Sequence, residues 1–270
     1  MTAHIIIPAR YGSTRFPGKP LAPVAGVPLL QRVWALAVSV AGRDNVTVAT
    51  DDEQIAKFCT KLGAQAVMTA SDLPNGTARA AAALSQLDHA IDTIINLQGD
   101  AVLTPPWVLA ALLAEMQRDQ TVPMVTPAVR MSRAAYDSLT SAKAGGEVGG
   151  TTVVFNHQYD ALYFSKSIIP FVRTSTDPLP VFRHIGLYGY RRDILQRLIA
   201  LPAGSLEQAE QLEQLRALEH GINIRVVPVD YLGRTHAGID SPQDLQRAEQ
   251  LIAAEGELLA AYDGSVRWTS

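Results

Sequence analysis

Ile5-Ile6-Ile7-Pro8-Ala9-Arg10-Tyr11-Gly12-Ser13-Thr14-Arg15-Phe16-Pro17-Gly18-Lys19-Pro20-Leu21 decides the reading of this chain. Ile5–Ile7 is apolar on both faces, as strands in a parallel sheet are. The chain then breaks into a loop holding two glycines, two prolines, two arginines and a lysine. Leu29, Leu30, Val33, Trp34, Ala37 and Val38 follow at helical spacing and predict a helix over Leu29–Val40. A buried strand that feeds a cationic, glycine-containing loop suits polyphosphate. Backbone N–H groups approach the oxygens where side chains are absent, and cations neutralise the charge.

The same strand–loop–helix unit recurs for about 120 residues. Asn45–Ala49 and Ala66–Thr69 read as strands, and Glu53–Leu62 as a helix with Gly63 at its C-cap. Asn75-Gly76-Thr77 is a turn into a helix over Ala78–Leu87. Thr93–Leu97 is a central strand, followed at once by Gln98-Gly99-Asp100, and Pro105–Arg118 is a helix with proline in its first turn. The expected fold class is α/β, a parallel sheet with helices on both faces. Ligands of such sheets sit beyond the carboxyl ends of the strands. Three loops meet that condition: Pro8–Lys19, Thr50-Asp51-Asp52 and Gln98-Gly99-Asp100.

Composition narrows the function. The 270 residues are 47% hydrophobic and carry a net charge of −3. That balance argues against a general nucleic-acid binder, and local cations must meet any anionic ligand. Cys59 is the single cysteine, which excludes an intramolecular disulfide and a cysteine-based zinc site. No leader-like segment and no run of about 18 apolar residues is present, so a cytoplasmic protein without a membrane span is expected.

The second half is less regular. Val122–Val129, Thr151–Phe155, Ala161–Phe164, Phe182–Tyr190 and Ile224–Val229 read as strands, and Ala142–Gly150 as a glycine-rich loop. Leu206–His220 reads as one helix with Glu207, Glu210 and Glu213 broadly on one side. These acids form either a solvated face or a functional one. Pro242–Ala254 is the last helix, capped by Ser241 with Asp244 at N3. The chain beyond about Glu255 reads as a loosely attached tail.

Arg10, Arg15 and Lys19, interleaved with Gly12, Ser13, Pro17 and Gly18, point to phosphate. The loop is not a G-x-x-x-x-G-K-[ST] motif and not G-x-G-x-x-G, which sets aside the P-loop and dinucleotide readings. Asp100 lies at the mouth of the sheet facing this loop. Phosphate with a lone carboxylate suggests Mg²⁺, and Asp240 is the natural second ligand because Ser241 already caps the helix. On strand alternation His184, Tyr188 and Tyr190 share a face and form a polar pocket wall.

Residues 7–21, read as Ile-Pro-Ala-Arg-Tyr-Gly-Ser-Thr-Arg-Phe-Pro-Gly-Lys-Pro-Leu, closely resemble the opening of 3-deoxy-manno-octulosonate (Kdo) cytidylyltransferases. Further matches follow in order: Ala49–Asp52, Gly76-Thr77 with Arg79, Asn96–Asp100, Ala161–Ser165, Arg183–Arg191, Leu206–Arg216 and Gly238–Pro242. The resemblance spans about residues 4–250. It implies a Rossmann-like nucleotidyltransferase fold of GT-A-like mixed sheet, over a single domain of residues 1–255. Segment 125–200 would serve the acceptor and dimerisation, and 256–270 would be a tail. It implies CMP transfer from CTP to an acidic acceptor, release of pyrophosphate, Mg²⁺ dependence, a homodimer and a place in lipopolysaccharide biosynthesis. Ala9, Arg10, Ser13, Arg15 and Lys19 would hold the triphosphate, with Asn75, Gly76, Thr77 and Gln98 near the cytidine. Asp100 and Asp240 would carry the metal and, with Lys19, the catalysis. Arg79, Gln98, His184, Tyr188, Glu210 and Glu213 would line the acceptor side.

The departures from the family pattern fall mainly on that acceptor side. Ala101-Val102 stands where the family has Glu-Pro. Asp72–Arg79 lacks a histidine and an acid, Glu147–Val154 replaces Asn-Ala-Val-Lys-Val-Val, Phe171 replaces a tryptophan, and Lys166 replaces an arginine. Two alternatives follow. One is CMP transfer to another ulosonic acid or a small phosphonate such as phosphonoformate. The other is a non-catalytic CTP-binding paralogue.

Overall fold

The computed structural model describes residues 2–12, 15–174 and 177–258. The chain divides into two compact units, Met1–Leu113 with Tyr231–Ser270, and Ala114–Asp230. The second unit therefore takes in more chain at both ends than the expected 125–200 subdomain.

In chain order the first unit holds β1 (Thr2–Ala9), the short pair β2 (Pro23–Val24) and β3 (Val27–Pro28), α1 (Leu29–Ala41), β4 (Val46–Thr50), α2 (Glu53–Leu62), β5 (Gln65–Met68), α3 (Gly76–Leu84), β6 (Ile91–Asn96) and most of α4 (Pro106–Arg118). Its sheet runs β5-β4-β1-β6, with every pairing parallel. Ile5, Ile6 and Ile7 are fully buried, so β1 is covered on both faces, as its unbroken apolar run required. Asp52 starts α2 by accepting from the N–H groups of Gln54 (2.8 Å) and Ile55 (3.1 Å). Gly63 ends it at φ 70°, the left-handed conformation that glycine adopts without a Cβ clash.

The second unit continues with β7 (Met124–Arg130), α5 (Arg133–Ala144), β8 (Thr152–Phe155), β9 (Ala161–Ser165), β10 (Phe182–His184), β11 (Tyr188–Arg191), α6 (Arg192–Ala200), α7 (Ser205–Glu210), α8 (Gln214–Glu219) and β12 (Ile224–Pro228). Its sheet is mixed: β11-β7-β10-β8-β9 pair antiparallel in turn where they follow β7 and β8, and β12 pairs parallel with β7. Helix α9 (Pro242–Glu255) returns to the first unit.

Three expectations change. Phe182–Tyr190 is not one strand. It breaks at residues 185–187, and β10 and β11 meet β7 in registers two residues apart. The buried Thr126 hydroxyl holds the break by donating to Leu187 O at 2.9 Å. Leu206–His220 is not one helix, because Gln211 takes φ 53° and separates α7 from α8. The tail does not begin at 256. Arg32, 2% exposed, grips Glu257 with two nitrogens at 2.7 and 3.1 Å, and Leu258 is buried. Residues 259–270 lie outside the described residues.

Candidate functional site

At the carboxyl ends of β1 and β6 a pocket of about 330 Å³ opens within the first unit. Its walls include Ala9, Arg10, Arg15, Lys19, Asn75, Gly76, Arg79, Gln98, Asp100 and Asp240, residues drawn from four separate stretches of sequence. Pro8, Pro20, Leu73, Pro74 and Gly99 complete it. Two glycines let the stretches close up. A Cβ on Gly99 would come 2.6 Å from Pro8 O, and one on Gly76 would come 2.8 Å from Gln98 Oε1 and 3.2 Å from a Pro8 carbon. The loop after β1 closes on itself through Gly18 N–H to Tyr11 O, 3.0 Å. Gly18 sits at φ 72°, directly before the single 3₁₀ turn that presents Lys19.

Lys19 ties the pocket together. Its Nζ lies 2.9 Å from Asp100 Oδ2 and 3.6 Å from Asp240 Oδ1, and it donates to Ile239 O at 2.6 Å. Arg15 adds a second cation 3.2 Å from Asp240 Oδ1. Asp240 reaches across 220 residues because α9 starts there. Asp244 accepts from the N–H groups of Asp240 (3.1 Å) and Ser241 (2.9 Å) in a capping box with Ser241. The Ser241 hydroxyl and these N–H groups hold the Asp244 carboxyl below its ordinary range. Capping is done by Asp244 and Ser241, which leaves the Asp240 carboxylate to the cations.

The remaining predicted residues have mixed fates. Asn75 lines the pocket while its side-chain oxygen caps α3 through Ala78 N–H, 2.8 Å. The N-terminus of α3 thus opens on the pocket, where its partial positive charge favours anions. Thr77 is buried within that first turn, and the wall there is Asn75, Gly76 and Arg79. Arg79 is 2% exposed and its guanidinium is committed to protein: 3.0 Å to Asp51 Oδ2, 2.6 Å to Thr69 Oγ1 and 3.3 Å to Ala70 O. It braces the pocket floor. Ser13 lies outside the described residues.

His184, Tyr188, Glu210 and Glu213 belong to the second unit. The His184 ring packs 4.9 Å from Phe164 and 5.5 Å from Tyr188, and Tyr188 packs 6.0 Å from Tyr190. The predicted cluster forms, although across a strand break rather than along one face. Thr126 Oγ1 lies 2.9 Å from His184 Nε2. The same hydroxyl also lies within reach of Leu187 O (2.9 Å) and Ile185 O (3.3 Å), so it joins the ring to the strand break. Burial, together with Tyr190 and Glu213, pushes the Tyr188 phenol well above its usual range.

Glu210 stands at the end of α7 and accepts from the Ser165 hydroxyl (2.7 Å) and Lys166 N–H (2.8 Å). Glu207, by contrast, is taken up by Arg216 at 2.7 Å. Lys143 on α5 is pulled below its ordinary range by burial and by neighbouring Lys166. The sequence reading placed a loop over Ala142–Gly150, and α5 instead runs on to Ala144.

Two carboxylates converge on one ammonium, at the mouth of a cationic pocket, and no group of three or more His, Cys, Asp or Glu placed to hold a metal ion occurs among the described residues. This donor set fits Mg²⁺, which takes one or two carboxylates and fills the rest of its octahedron with water and substrate oxygens. No helix among the described residues is long and apolar enough to cross a membrane.

A family model described as cytidylyltransferase matches residues 4–224. This chain belongs to the cytidylyltransferase family. It is similar to the 3-deoxy-manno-octulosonate cytidylyltransferase of Maricaulis maris (strain MCS10), 50% identical over 259 residues, covering 96% of this chain and 100% of the relative. It is also similar to the 8-amino-3,8-dideoxy-manno-octulosonate cytidylyltransferase of Shewanella sp. (strain ANA-3), 40% identical over 256 residues, with coverage of 94% and 100%. Among solved structures, a CMP:2-keto-3-deoxy-manno-octonic acid synthetase complexed with CTP matches with a TM-score of 0.83 and 39% identity, again covering 94% of this chain and 100% of the other. The enzyme is a nucleotidyltransferase, and the expected α/β nucleotidyltransferase fold stands.

Proposed function

We propose that this cytidylyltransferase transfers CMP from CTP to Kdo and releases pyrophosphate. The observation that carries the reading is the cationic pocket of the first unit, where Arg10, Arg15 and Lys19 face Asp100 and Asp240. The 50% identity to a Kdo cytidylyltransferase along its whole length supports the acceptor.

The reaction asks the protein for placement and charge. The acceptor oxygen attacks the α-phosphorus in line, and pyrophosphate leaves. Arg10, Arg15 and Lys19 neutralise the triphosphate, and the N-terminus of α3 adds N–H groups toward it. Gln98, packed against Gly76, fixes that wall. Asp100 and Asp240 would hold Mg²⁺, which when bound supplies charge neutralisation at the phosphates and orients oxygens. His184, Tyr188, Glu210 and Glu213 are the acceptor-facing group, with Glu210 organised by Ser165 and Lys166. Tyr188 serves as a hydrogen-bond donor and not as a base. The enzyme works as a homodimer in the cytoplasm, in the supply of activated sugar for lipopolysaccharide.

A second reading follows from the Shewanella relative, whose name carries an 8-amino acceptor. A product assay with CTP, Mg²⁺ and each acid separates the two. We expect CMP-Kdo and pyrophosphate in equal amounts. Faster turnover of the 8-amino acid, or turnover of phosphonoformate alone, would replace Kdo as the acceptor.

A further inference from the structure

Lys19 sits in an oxygen cage. Its ammonium has three N–H donors, and three oxygens surround it: Asp100 Oδ2 at 2.9 Å, Ile239 O at 2.6 Å and Asp240 Oδ1 at 3.6 Å. The side chain is only 15% exposed, so this is a settled position and not a surface contact. A hard divalent cation seeks the same kind of donors.

We propose that Lys19 and the divalent cation compete for this one cage, so that Lys19 must leave it for the metal to enter. This rests on the reading that Asp100 and Asp240 hold the metal. A Mg²⁺ bound at the usual ~2.1 Å from Asp100 Oδ2 would lie within about 5 Å of Nζ. A +2 and a +1 charge at that separation repel strongly in a half-buried site. The lysine stem is flexible, and its strongly hydrated point charge needs another anion once it leaves. The pocket that Lys19 shares with Arg10 and Arg15 is where the triphosphate is expected, so phosphate oxygens supply that anion. CTP would then draw Lys19 away and open the cage, and linkage requires each ligand to strengthen the other. Lys19 is in this respect a positioning residue: it holds two like-charged carboxylates together and makes metal entry conditional on the nucleotide.

The proposal has an unusual sign. Removing a positive charge elsewhere in a pocket for an anionic substrate weakens that substrate. Here it should also strengthen a cation. The test is a titration with Mn²⁺ alone, without nucleotide, in which free Mn²⁺ is read by electron paramagnetic resonance. Wild type is compared with Lys19→Met, Lys19→Gln and Asp100→Asn, each checked for a native thermal transition. Lys19→Met or Lys19→Gln should bind Mn²⁺ roughly tenfold more tightly than wild type, the effect of relieving one nearby like charge, and Asp100→Asn should bind more weakly. Equal or weaker Mn²⁺ binding by the Lys19 variants overturns the competition, while the Asp100→Asn loss keeps the metal site itself. Unchanged binding in Asp100→Asn overturns both. Two neutral replacements are used so that misfolding of one does not remove the test.

Discussion

The two units present their chemistry in different ways. In the first, four of the candidate residues stand just after a regular element or just before one: Arg10 after β1, Asp100 after β6, Asn75 before α3 and Asp240 before α9. In the second, the candidate residues stand where elements break. His184 and Tyr188 flank the interruption between β10 and β11, and Glu210 and Glu213 flank the left-handed Gln211. A parallel sheet delivers its loops to one end by topology alone. A mixed sheet has no such rule, so its site is built from irregularities held by particular hydrogen bonds, Thr126 to Leu187 O and Ser165 to Glu210.

The comparison is open to attack by substitution. Asp100→Asn should have the largest effect. It removes a charge from the Lys19 cage, and kcat should fall by about a thousandfold, the scale of losing one charged group at a phosphoryl-transfer centre. Steady-state kinetics at saturating CTP and Kdo measure it, and a normal kcat would break the assignment of catalysis to the first unit.

Gly99→Ala comes next. Its Cβ has no room beside Pro8 O, so the loop after β6 must move off β1. A stability loss of about 1–3 kcal/mol is expected from overpacking, together with weaker CTP binding. Urea unfolding and CTP titration read the two effects.

His4 separates fold from site in the same unit. It is buried on β1, with Nε2 2.8 Å from Thr47 Oγ1, and burial lowers its pKa to about 4. Below pH 6.5 the unfolded chain takes up a proton that the folded protein refuses, so this contribution to stability is lost as pH falls from 6.5 toward 4. Between pH 7.5 and 5 the loss is about 2 kcal/mol. His4→Gln should flatten that part of the stability–pH curve by the same amount and leave kcat at pH 7.5 unchanged.

Glu210→Gln should have the smallest effect and the most selective. The amide keeps one acceptor oxygen for two donors, so one of the two hydrogen bonds at the Ser165–Lys166 turn is lost and the other loses its charge, and the KM for the acceptor should rise about tenfold. The KM for CTP should not move. A parallel rise in both constants would erase the division of labour between the units.

The same contrast explains what was legible in the sequence. Glu53–Leu62, Gly63, Ser241 with Asp244 and the Pro8–Lys19 loop could be read because glycines, caps and apolar periods act locally. Asp240 could be read only as a second ligand beside Asp100, and its contact with Lys19, far away along the chain, leaves no local mark. In the second unit, apolar alternation ran through Ile185–Leu187 and helical spacing ran through Gln211, so continuous elements were expected. What breaks them is a buried hydroxyl and a left-handed residue that is not glycine, and neither leaves a local mark. Arg79 shows a further limit. The family resemblance puts it on the acceptor side, and it lines the pocket, but its ion pair with Asp51, 28 residues away, leaves no local mark.

The central claim is nucleotidyl transfer from CTP gripped by the first unit's pocket, and label partition tests it most directly. The enzyme is incubated with Mg²⁺, Kdo and CTP labelled at either the α- or the γ-phosphorus. α-Label is expected in a CMP-Kdo product and γ-label wholly in pyrophosphate. Label from the γ-position in the sugar product, or no labelled product from either CTP, would contradict it.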